Sequence, residues 1–202
     1  MSESFSIHKD KTTLTERGVM RYVELLKIPE DELNDPHSLI LDLGSGTEQN
    51  FAKDIRKFNL KSKIISLDPR LGLSEGEDVD DLFTKSHKEA RIQGRKNPET
   101  KTAGGLSSNL PFLDSMFDRI YALYSVPYYL NYRNPSEVSE TLQEMLRILK
   151  PGGVIRAFPI ESEQLDIVKN FLKSMDSVSF VLEETETSDG EDYGSLLVIT
   201  KK

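Results

Sequence analysis

The chain has 202 residues, 26 Lys+Arg against 34 Asp+Glu, a formal net charge of -8 and no cysteine. Its length suits one α/β domain with its own core, and the missing cysteine excludes disulfides, thiol nucleophiles and thiolate metal sites, fitting a reducing, cytoplasmic setting. The negative charge repels nucleic-acid phosphates, so such a partner would need a local basic patch.

No run of about 18 uncharged apolar residues is present, so no membrane span is expected, and the polar start lacks the core of a secretory signal. Residues 1–12 are expected to be loose, and 13–202 to form one domain. Thr13-Leu14-Thr15-Glu16 has the capping-box form, with Val19, Val23 and Leu26 on one helical face and a stop at Ile28-Pro29. Residues 39–43 read as a buried strand stopped by Gly44-Ser45-Gly46, with a helix over 49–58. Residues 64–67 form a second strand ending at Asp68-Pro69; a third, weakly marked, lies at 101–104, and a fourth at 117–123. Asn134-Pro135-Ser136-Glu137 opens a helix with Val138, Leu142, Met145 and Leu149 on one face. Lys150-Pro151-Gly152-Gly153 should stop it, before a strand at 154–158. Ser162 precedes a helix whose inner face is Leu165, Val168, Leu172 and Met175. Strands at 178–182 and 195–200, joined by an acidic loop over 183–194, close the chain.

Strands alternating with helices imply an α/β fold with a parallel sheet covered on both faces. The last two strands, lacking a helix between them, would pair antiparallel at an edge. Ligands in such sheets bind at the carboxyl ends of the strands, where the strand order reverses. Residues 84–105 carry Lys85, Lys88, Arg91, Arg95, Lys96 and Lys101 after an acidic run at 75–81. This segment reads as a solvated helix, a lid or a basic surface. His8, His37 and His87 show no metal-ligand spacing, and no metal is expected.

Asp42-Leu43-Gly44-Ser45-Gly46 ends the first strand in a turn that brings backbone close to a ligand, and the following helix offers free N–H groups. Asp68 closes the next strand, where a carboxylate can accept both hydroxyls of a ribose. Together they point to a nucleoside-containing cofactor without saying which one.

Further along, Leu110-Pro111-Phe112, Phe117-Asp118 and Leu149-Lys150-Pro151-Gly152-Gly153 follow in order. This series resembles the class I S-adenosylmethionine-dependent methyltransferases, over about residues 39–158. The resemblance implies a Rossmann-like, doubly wound sheet of seven strands, the last antiparallel, and S-adenosylmethionine as cofactor. It implies that Gly44, Ser45 and Gly46 admit the methionine part while Asp42 orders that loop. It places Asp68 on the ribose, Pro69 or Arg70 beside the adenine, Ser107 and Asn109 at the adenine edge, and Ser125 facing the methyl. Tyr128 is the expected catalytic contact, a substrate-lining group or weak base. Asp118 and the 150–153 turn are expected to be structural. Two positions depart from the family: Glu48 stands where many members have a third glycine, and Leu106 where many carry an aspartate.

A small-molecule methyl acceptor is expected, with the first helix and residues 75–105 as lid material. A second reading makes RNA or protein amino groups the acceptor, through the basic segment and Ser125-Val126-Pro127-Tyr128, which partly matches a Ser-Pro-Pro-Tyr motif. A third keeps the fold as a non-catalytic interaction domain, motivated by Glu48 and Leu106.

Overall fold

The computed structural model describes residues 18–46, 49–68, 101–103, 109–128, 130, 134–186, 190 and 193–202. The capping box at 13–16, the acidic run at 75–81 and the basic segment up to residue 100 lie outside them.

Helices α1 (Val19–Leu26) and α2 (Glu30–Leu33) precede strand β1 (Leu39–Leu43), and α3 (Asn50–Lys57) leads to β2 (Lys63–Leu67) and β3 (Lys101–Ala103). Then come β4 (Phe117–Leu123), α4 (Pro135–Ile148), β5 (Leu149–Ile160), α5 (Ser162–Lys173), β6 (Val178–Glu186) and β7 (Tyr193–Lys201). The seven strands form one sheet in the order β3-β2-β1-β4-β5-β7-β6. Among the described strands only β7 runs antiparallel, to β5 on one side and β6 on the other. This is the doubly wound α/β sheet expected from the sequence, with its order reversing between β1 and β4.

Alternation along each strand separates two apolar layers. Leu41 and Leu43 of β1 join Ile120, Ala122, Ile155 and Ala157 under Val138, Leu142 and Met145 of α4 and Val168 and Leu172 of α5. Ile40 joins Tyr121, Leu123 and Phe158 under Val19, Tyr22, Leu25 and Leu26 of α1 and Phe51 and Ile55 of α3. Four α1 residues are therefore fully buried. That corrects the expectation of a lid: α1 is a packed layer of the core. The helix stops where expected, since Pro29 has no N–H to donate and Lys27 turns into the left-handed region at φ 51°.

Three boundaries differ from the sequence reading. Strand β5 starts at Leu149, directly after α4, so residues 150–153 lie inside it as an irregularity between the pairings Phe117–Leu149 and Arg119–Val154. Leu149 pairs with β4 instead of extending the helix. The terminal hairpin is longer than its apolar stretches, because Glu183, Glu184, Thr185 and Glu186 still pair along an edge strand, as far as Glu186 with Tyr193. Such charged edges discourage association with another sheet. On α5 the buried set is Gln164, Val168 and Leu172, with Leu165 and Met175 only partly covered.

The two downstream motifs meet in space. Lys150 Nζ donates to both carboxylate oxygens of Asp118, at 2.9 and 2.8 Å, and Asp118 Oδ2 accepts the Leu39 N–H at 2.9 Å. Arg147 donates to Asp114 and to the carbonyls of Leu110 and Phe112, while Glu144 accepts the Leu110 N–H. Burial pushes the Asp118 carboxyl up, but Lys150 and the Leu39 N–H outweigh it and hold it below its usual value. A depressed carboxylate stabilises the fold above its unfolded value of about 4, and that contribution disappears as the pH falls through the folded value. Asp118→Asn is therefore expected to cost roughly 1–2 kcal/mol near neutrality. The gap from wild type, read by thermal melts between pH 7 and pH 3, should close on acidification; a pH-independent gap would remove the ionic explanation.

Candidate functional site

The reversal in strand order opens a crevice at the carboxyl ends of β1 and β4. Gly44 and Gly46 lie in the left-handed region, at φ 80° and 70°. The Gly44 and Ser45 N–H groups donate to the Leu67 carbonyl at 2.8 and 3.2 Å, folding the turn over the end of β2. The Gly46 N–H donates to Asp68 Oδ2 at 3.1 Å. The Ser45 hydroxyl donates to the Gly46 carbonyl at 3.1 Å. From β4, the Ser125 hydroxyl donates to the Leu43 carbonyl at 2.6 Å and packs against Gly44. Asp68, Ser45 and Ser125 are all buried.

Asp42 lies two positions before this turn and points to the other side of the sheet from Leu41 and Leu43. It is fully buried and accepts the Tyr22 hydroxyl at 2.6 Å. The Tyr22 ring stacks on Phe51 at 4.2 Å and 11° between planes. Val19 N–H of α1 also donates to Asp54 of α3. Helix α1 thus grips the chain both before and after the glycine turn, and Asp42 supports the turn from beneath. Tyr22 was not among the residues expected here, nor on the helical face of Val19, Val23 and Leu26 read from the sequence; the buried face is Val19, Tyr22, Leu25 and Leu26.

The loop after β4 is held equally firmly. Tyr124 adopts φ 49°, an outlier for a bulky side chain of the kind that collects at ligand sites. Its N–H donates to the Phe158 carbonyl at 2.7 Å, and its ring meets Tyr128 and Phe158 edge to face at 5.9 and 5.7 Å. Tyr128 is half-buried beside it. The Gln164 amide donates to the Pro127 carbonyl at 2.6 Å, so a polar residue on the inner face of α5 fastens this loop. Nothing in the sequence distinguishes Gln164 from a surface glutamine.

Gln49, between the glycine turn and α3, was missed for the same reason. It is 1% exposed, and neither amide atom has a hydrogen-bond partner among the described residues. Asn109 is exposed. Pro69, Ser107, Tyr129, Glu48 and Leu106 lie outside the described residues. Among the described residues no group of three or more His, Asp or Glu side chains is placed to hold a metal, and no helix is long and apolar enough to cross a membrane.

A family model described as a methyltransferase domain matches residues 41–157, from β1 through most of β5. The chain belongs to that family. The chain is 35% identical over 63 residues to the demethylmenaquinone methyltransferase of Paenarthrobacter aurescens, a match covering 31% of the chain and 22% of that relative's length. A structure from Methanococcus maripaludis, described as an S-adenosyl-L-methionine-dependent methyltransferase, superimposes with a TM-score of 0.58 at 18% identity, over 91% of this chain and 83% of that one. The [4+2]-cyclase SpnF matches with a TM-score of 0.55 at 14% identity, over 91% and 80%. At these identities the two structures show a shared fold. The family match agrees with the class I S-adenosylmethionine-dependent group that the motifs resemble.

Proposed function

We propose that this methyltransferase binds S-adenosylmethionine across the glycine turn and transfers its methyl to a small-molecule acceptor. In this reading Asp68 receives the ribose hydroxyls, Gly44, Ser45 and Gly46 receive the methionine part, and Ser125 and Tyr128 line the methyl side, while Pro69, Ser107 and Asn109 border the adenine. The observation that carries it is the Gly46 N–H to Asp68 hydrogen bond, which fixes a buried carboxylate beside a turn at the strand-order switch. The cofactor supplies a methyl already activated on sulfonium; the protein's part is alignment and the exclusion of water.

Tyr124 and Tyr128 give the acceptor side an aromatic edge-to-face pair, suited to a planar or apolar small molecule. The partial match to a methyltransferase named for demethylmenaquinone supports an acceptor of that kind. Calorimetry with S-adenosylhomocysteine tests the cofactor assignment. Asp68→Ala should weaken binding by about 10- to 100-fold, the loss of hydrogen bonds to a charged group. Wild-type affinity in that variant would take Asp68 off the ribose. A screen with labelled methyl donor over quinone, other metabolite, RNA and protein pools then identifies the acceptor; label entering only macromolecules would replace the small-molecule reading.

A further inference from the structure

Gln49 carries two separate costs at one position. Its carboxamide is buried, and among the described residues neither its oxygen nor its nitrogen is hydrogen-bonded, although buried polar groups are almost always satisfied. Its backbone sits at φ 54° and ψ 42°, a left-handed conformation for which glutamine has no special preference. The side chain makes no capping hydrogen bond to α3, so helix initiation does not explain it. A methionine or leucine would fill the same space without desolvating an amide. The residue stands three positions after Gly46 and directly before α3, on the segment that leads from the glycine turn into the helix.

From this combination we infer that the Gln49 carboxamide is a ligand-binding group of the site. A carboxamide offers donors and an acceptor on one uncharged plane. That pairing suits a ligand end that displays an anion and a cation side by side, where a lysine or glutamate would attract one and repel the other. The α-carboxylate and α-ammonium of an amino acid are such an end. Resting on the cofactor reading above, Gln49 donates to the carboxylate and accepts from the ammonium of the cofactor's methionine part. The buried amide is thereby satisfied on binding.

The test separates this role from a packing role by using two probes on the full chain. S-adenosylhomocysteine has the amino-acid end; 5′-methylthioadenosine keeps the nucleoside and sulfur but lacks it. Gln49→Met removes donor and acceptor at similar volume. It should melt above wild type without ligand, bind S-adenosylhomocysteine about tenfold more weakly, and bind methylthioadenosine as wild type does. Unchanged affinity for S-adenosylhomocysteine, or an equal loss for both probes, overturns the assignment. Should that variant misfold, Gln49→Glu keeps the length and puts a charge against the carboxylate, and the same selective loss is expected. A wild-type protein that binds neither probe removes the cofactor reading itself, and this assignment with it.

Discussion

Gly44→Ala should leave a protein that melts roughly 10 °C lower and no longer binds S-adenosylhomocysteine measurably. Two effects act at this position. A Cβ built on Gly44 lies 2.2 Å from Ser125 Cβ and 2.8 Å from its hydroxyl oxygen, far inside contact distance. The turn after β1 and the loop after β4 would have to separate, and overpacking of this kind costs about 1–3 kcal/mol. The backbone at φ 80° adds about 1–2 kcal/mol for a residue with a side chain. Their sum, about 3 kcal/mol, corresponds to roughly 10 °C in a chain of this length. Binding suffers more than stability, because the two segments forced apart are the walls of the crevice. A second substitution apportions the effects. Ser125→Gly removes the clash but leaves the φ cost, so the double variant should recover about half of the lost stability. A Gly44→Ala protein that melts within about 2 °C of wild type would show that the loops are not in the contact described.

The elements that position this site were legible where the chemistry is local. Strand β4 appears at the residues expected, since its apolar run is flanked by a polar loop and a turn. The weakly marked β3 also lies where it was sought, and the glycine turn adopts positive φ at both glycines. What the sequence did not reveal depends on tertiary contact. The Asp42 carboxylate reads as a loop-ordering group, yet its place on the α1 face follows from the pleat, and its Tyr22 partner lies in another element. Gln164 and Gln49 carry no local signal, because a buried glutamine and an exposed one are written alike. The start of β5 at Leu149 was hidden by the helical spacing that Leu149 shares with Met145, and pairing with Phe117 decided the outcome. Asp68 shows how the two levels join: its position after β2 was readable, while its bond to the Gly46 N–H came only with the fold.

Glu32→Ala is expected to be the most damaging single change on the opposite side of the sheet, costing about 3 kcal/mol. Glu32 of α2 accepts from Arg119 Nε at 3.1 Å and the Tyr121 hydroxyl at 2.9 Å on one oxygen, and from Arg156 Nη2 at 3.2 Å on the other. Burial, and then the Glu32 carboxylate, push the Tyr121 phenol well above its usual value, so it stays a neutral donor. Arg156 also donates to the Leu26 carbonyl, the last residue of α1. One carboxylate thus balances two guanidiniums and fastens α1 and α2 to β4 and β5. Its loss leaves two like charges and a hydroxyl without their partner. Arg119 is about a quarter exposed, at 26%, which lets water soften the penalty, whereas Glu32 and Arg156 are at 12%. The cost therefore sits at the lower end of the 3–5 kcal/mol range for a broken buried pair. Urea unfolding measures it, and replacing Glu32 and Arg156 together by methionine should recover part of the loss, since removing both charges is less harmful than stranding one. The effect should also reach the site, because α1 holds Asp42 through Tyr22 and the start of α3 through Phe51. S-adenosylhomocysteine affinity is accordingly expected to fall in Glu32→Ala even well below its melting temperature. Full affinity in a destabilised variant would show that the glycine turn keeps its shape without the α1 layer behind it.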